Sequence, residues 1–204
     1  MNRTKQLHRQ RGFTMIEMIG VLAVIAILAS IVAPKIFDAI RDSKVNTFAS
    51  NIQAVQTAVA SYYKDTGTFP SSETKLITDT ATGWKGPYLD KSVADMFTSI
   101  SAGTVALSSG DPYTTVDTAY NFDIDGDGAG DYDNKTAVLV LSFSSIGVAD
   151  AKSISGAIDG DDANTTTGGK GWWTMGRFKN QAVPSTSSTE PTTSGGYYAF
   201  IAAQ

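Results

Sequence analysis

The chain has 204 residues, 42% of them apolar, a formal net charge of -4 and no cysteine. That length supports one sizeable globular core, and the missing thiols exclude disulfides, thiolate chemistry and cysteine-based zinc sites. The one histidine, His8, falls in a basic leader, so the body has neither a Ser-His-Asp or Cys-His arrangement nor a His-ligated metal.

That leader, residues 1–12, carries Arg3, Lys5, Arg9 and Arg11 and no acid. Without those four, the 16 basic residues fall to 12 against 20 acidic ones, a balance of -8. An acidic body lacks the basic face that neutralises phosphates, so no nucleic-acid partner is expected.

Residues 13–33 are apolar or small except for Thr14, Glu17 and Ser30. A helix of that length spans roughly 31 Å, the thickness of a bilayer's hydrocarbon core. Basic residues before it and acidic bulk after it predict a cytoplasmic N-terminus and a translocated remainder. The exit "ASIVAPK" places Ile31 two residues before Ala33, a poor fit to a small-x-small signal-peptide cleavage site. Thr14 and Glu17 form a capping-box pattern, in which the acid reaches back to the free amide at the helix start. A central charge costs about 3 kcal/mol on insertion, and the eleven Leu, Ile, Val and Phe residues of the run return roughly 3 to 7 kcal/mol.

Beyond Pro34 the helical pattern resumes, so this proline is expected to bend the helix rather than end it. Over residues 34–65, Val45, Phe48, Ile52, Val55, Val59 and Tyr62 form an apolar stripe at spacings of three and four, predicting an amphipathic helix lying on its own domain's sheet. "DTGTFP", Asp65 to Pro70, supplies the Gly and Pro that stop it.

Residues 66–204 read as a head rich in loops. "ATGWKGPYLD" is punctuated by Gly and Pro, with Gly86-Pro87 as a turn and Tyr88 and Leu89 directed to the core. "TAVLVLSF", Thr136 to Phe143, predicts a buried strand, with "AYNF" and "YYAFIA" as further strand candidates. Trp172 and Trp173 fit packing under long loops, and "PSTSSTEPTTSGG", Pro184 to Gly196, reads as an exposed low-complexity loop.

Between the strand candidates, "DIDGDGAGDYDN" places Asp123, Asp125 and Asp127 at positions 1, 3 and 5, the carbonyl of Ala129 at 7 and Asp131 at 9 of calcium-loop spacing. Position 12 is Asn134 rather than a bidentate glutamate, so the loop is not an EF-hand. Four carboxylates this close repel one another, and a hard divalent cation offsets that cost. The alternative is a solvated acidic turn. The missing bidentate ligand predicts weak calcium affinity, of the extracellular class at about 10⁻⁴ to 10⁻³ M.

Taken together, the basic leader ending in Gly12, Phe13 opening the apolar run, Glu17 and Pro34 resemble the leader and helix of type IV pilins and type II secretion pseudopilins. The resemblance implies cleavage after Gly12 by prepilin peptidase and N-methylation at Phe13. It also makes Glu17 the assembly glutamate and Pro34 the helix-bending proline. "GWKGPYLD" and "DPY", Asp111 to Tyr113, narrow it to the major pseudopilin. That subfamily carries a calcium site in a Gly- and Asp-rich region resembled by "SGAIDGDDANTTTGGKG", which makes Asp159, Asp161 and Asp162 rival or additional ligands.

The implied fold is α+β, the type IV pilin fold, a long N-terminal helix packed on a small antiparallel sheet with irregular loops. The implied function is that of a structural subunit of a type II secretion pseudopilus. It would be stored in the bacterial inner membrane with its head in the periplasm, and assembled on an inner-membrane platform with copies of itself and minor pilins. A surface type IV pilin for adhesion, motility or DNA uptake is the alternative. No catalysis is expected: Ser61-x-x-Lys64 and Ser72-x-x-Lys75 both match a Ser-x-x-Lys pattern, and neither has a Ser-Asp-Asn or Lys-Thr-Gly companion.

Overall fold

The computed structural model describes residues 12–100, 102–110, 122, 138–160, 177–180 and 195–203. The chain divides into two units, residues 1–41 and 42–204. Helix α1 runs Met15–Thr66 without interruption at Pro34. In the first unit its side chains are exposed from Phe13 through Ile40.

In the second unit α1 behaves as its periodicity demands. Val45, Phe48, Ile52, Val55, Val59 and Tyr62 are all buried, each on the face that a 3.6-residue period turns to one side. The helix ends past Thr66 at Gly67, whose φ of 75° is the left-handed conformation favoured at a helix exit.

The sheet beneath that face has four antiparallel strands: β1 (Val105–Gly110), β2 (Val138–Ile146), β3 (Phe178–Asn180) and β4 (Gly195–Ala203), in the order β1-β2-β4-β3. Val105 sits opposite Phe143, Leu141 opposite Ala199, and Phe178 opposite Ala199 on the other side of β4. Side chains alternate across the sheet. Leu139, Leu141, Phe143, Tyr197, Ala199 and Ile201 join the core under α1. Val138 and Val140 pack with Phe122 on the opposite face, flanked by Tyr198 and Phe200. Both faces of β2 are therefore covered at its start, which is why Val138–Leu141 reads as a continuous apolar run.

Phe48 is the hub between helix and sheet. It is fully buried, and its ring centroid lies 4.8 Å from Phe97, 5.0 Å from Phe143 and 6.2 Å from Phe178. Phe178 in turn stacks on Tyr197 at 5.3 Å. Two amide side chains of α1 add polar staples on either side: Asn51 Nδ2 donates to the carbonyl of Met96, and Gln56 Nε2 donates to that of Phe200 at 3.0 Å.

Between α1 and β1 lie a 3-10 turn (Glu73–Leu76) and a short helix α2 (Val93–Met96), capped by Ser92. The intervening segment is tied crosswise to the end of α1. Tyr62 donates to Asp79, and Tyr88 donates to Asp65 at 2.8 Å. Gly83 packs against the helix end. Its φ is 91°, and a Cβ there would lie 2.3 Å from the carbonyl oxygen of Asp65, so only glycine fits.

Three sequence expectations shift. The strand expected over 136–143 is Val138–Ile146, with Thr136 and Ala137 outside the described residues. Gly195 and Gly196, expected in the low-complexity loop, open β4. Asp159, expected in an acidic loop, is instead the last residue of a twelve-residue helix, α3 (Val148–Asp159), which ends at Gly160 with a φ of 82°. Of the "AYNF" candidate only Phe122 is described. It is fully buried and lies outside any strand.

Candidate functional site

The start of α1 is built by three residues. Glu17 Oε2 accepts hydrogen bonds from the Thr14 backbone amide at 2.8 Å and from the Thr14 hydroxyl at 2.7 Å. The Glu17 amide returns a 3.4 Å bond to the Thr14 hydroxyl oxygen. This is the reciprocal capping box that the spacing predicts, and it satisfies otherwise orphaned amides of the first turn. Both donors converge on Oε2, leaving Oε1 without a hydrogen bond from any described residue.

Downstream, the polar side chain of Ser30 is also satisfied within the helix, its hydroxyl donating to the Ile27 carbonyl at 2.7 Å. Thr14, Glu17 and Ser30, the polar residues of the run, thus all have local partners, as lipid requires. By length and composition α1 is the one helix, among the described residues, able to cross a membrane, and the apolar window that qualifies it is not buried at all. Phe13 is 81% exposed, beside Gly12, around which a Cβ would meet nothing. The peptide bond between them is sterically open. Pro34 lies within the helix, between the span and Arg41.

Residues 7–33 match the model of the prokaryotic N-terminal methylation motif, and residues 39–97 match that of the PilW C-terminal region. The N-terminal part of the chain, up to residue 97, is therefore similar to type IV pilins and type II secretion pseudopilins. Its pilin-like stretch is 32% identical over 80 residues to a fimbrial protein of Neisseria meningitidis, covering 39% of this chain and 47% of that protein. Similarity to type II secretion system core protein G is of the same order. The Pseudomonas aeruginosa protein is 32% identical over 71 residues, covering 35% of this chain and 50% of the relative. The Xanthomonas campestris protein is 30% identical over 81 residues, covering 39% and 57%. The chain spans about half the length of the relatives it matches. No solved structure matches. The methylation motif thus lies on an exposed helix long and apolar enough to anchor the chain in a membrane.

The second candidate site is acidic. Asp123, Asp125, Asp127, Ala129 and Asp131 lie outside the described residues, as do Asp161, Asp162, Trp172 and Trp173. Asp159 is described. Its Oδ1 accepts the backbone amide of Arg177 at 2.9 Å, tying the end of α3 to the start of β3. Its Oδ2 is buried and has no hydrogen-bond partner among the described residues. Burial pushes this carboxyl up to about 6, against the opposing pull of the Arg177 amide and guanidinium. A half-buried, half-satisfied carboxylate is the donor type that suits a hard cation. No cluster of three metal-ligating side chains forms among the described residues.

Elsewhere, sequence reading missed the crossed tyrosine–aspartate pairs at residues 62–88 and the strands β1 and β3. Tyr62 and Tyr88 read only as core aromatics, because nothing local marks Asp79 or Asp65 as their acceptors.

Proposed function

We propose that the chain is a structural subunit of a type IV pilus-like filament, the pseudopilus of a type II protein secretion system, and that it has no enzymatic activity. Prepilin peptidase cleaves after Gly12 on the cytoplasmic face of the inner membrane, and Phe13 becomes the methylated N-terminus. The head lies in the periplasm until an inner-membrane platform adds the subunit to a fibre of its own copies and minor pilins.

The observation that carries this reading is the start of α1, where Glu17 sits in a capping box at the head of an apolar stretch exposed through Ile40, inside a matched methylation motif. After cleavage Phe13 bears a cation. At about 4 Å and an effective dielectric near 20, its attraction to a neighbour's Glu17 is of order 4 kcal/mol. Oε1 is available to that amine while Oε2 stays with Thr14, so pairing need not undo the cap. The apolar face then packs between subunits, and the ion pair sets the axial register.

A surface pilin is the second reading, supported by fimbrial relatives as similar as the secretion proteins. Deleting the gene separates the two. Loss of secreted enzymes with surface filaments intact supports the pseudopilus, and loss of surface filaments with secretion intact supports the pilin.

We further propose that the head binds calcium weakly through the Asp123–Asp131 loop or through Asp159, Asp161 and Asp162. The orphaned Oδ2 of Asp159 supports the second set.

A further inference from the structure

No further inference is drawn: the strongest candidate, the groove of about 670 Å³ that Thr47, Asn51, Ala54 and Ser61 of α1 form with the segment from Tyr88 to Met96, is walled by a small-residue helix face, and nothing in the structure shows what covers it.

Discussion

The Tyr88 hydroxyl donates to Oδ2 of Asp65 at 2.8 Å, and Tyr62 donates to Oδ2 of Asp79 in the opposite direction between the same two segments. Lys85 lies 3.3 Å from Asp65, and Lys75 lies 3.9 Å from Asp79. The tyrosine bonds, ahead of the lysines, hold both carboxyls below their ordinary range, while burial pushes the Tyr62 hydroxyl up to about 12.

These shifts set opposing pH trends. Asp65 and Asp79 have depressed folded values, so their stabilisation is complete above the unfolded value near 3.9 and is lost as pH falls through the folded one. Asp159 is raised to about 6, so it favours the folded head below about pH 4 and costs stability as pH rises to about 6. With a chelator present, the melting temperature should peak near pH 4. Asp159→Asn should flatten the alkaline limb, raising the melting temperature at pH 7 by several degrees. An unchanged alkaline limb in that variant would contradict the assignment.

Phe48→Ala removes the ring that joins α1 to Phe97, Phe143 and Phe178. A fully buried phenylalanine truncated to alanine costs about 3–5 kcal/mol, and denaturant titration of the detergent-solubilised protein should show that loss. Phe48→Leu should recover most of it.

Gly83→Ala places a Cβ into the Asp65 carbonyl at a left-handed φ. The strain is worth about 1–3 kcal/mol and should appear as a lower melting temperature. Because Gly83 and Tyr88 brace the same helix end, combining Gly83→Ala with Tyr88→Phe should destabilise by less than the sum of the single losses.

The legible parts of this molecule were those whose signal is local. The apolar stripe from Val45 to Tyr62 and the Thr14–Glu17 box repeat at helical spacings, so the sequence pattern and the observed burial agree. The run from Val138 to Leu141 is apolar on both faces because a second small core covers its back. β1, "VALSSG", has two serines where a strand pattern needs bulk, and β3 is three residues long. Both exist because β2 and β4 offer ladder partners distant in sequence. α3 begins at Gly147 without a side-chain cap, and its acidic end merges with the aspartates that follow, so Asp159 read as loop. The crossed tyrosine bonds join residues 17 and 23 positions apart, a separation at which no sequence periodicity operates.

Calcium should raise the melting temperature and bind weakly in calorimetry, near 10⁻⁴ to 10⁻³ M. Loss of uptake in Asp125→Asn with Asp127→Asn assigns the first loop, and loss in Asp159→Asn with Asp161→Asn assigns the second. No uptake by the unaltered protein would remove the proposal.

The most direct test of the filament reading is the yield of sheared filaments from Glu17→Val, measured beside its abundance in the inner membrane. Removing an attraction of about 4 kcal/mol per contact predicts a subunit that inserts normally and yields at least tenfold fewer filaments. Filaments at the unaltered yield would contradict the proposed pairing of Phe13 with Glu17.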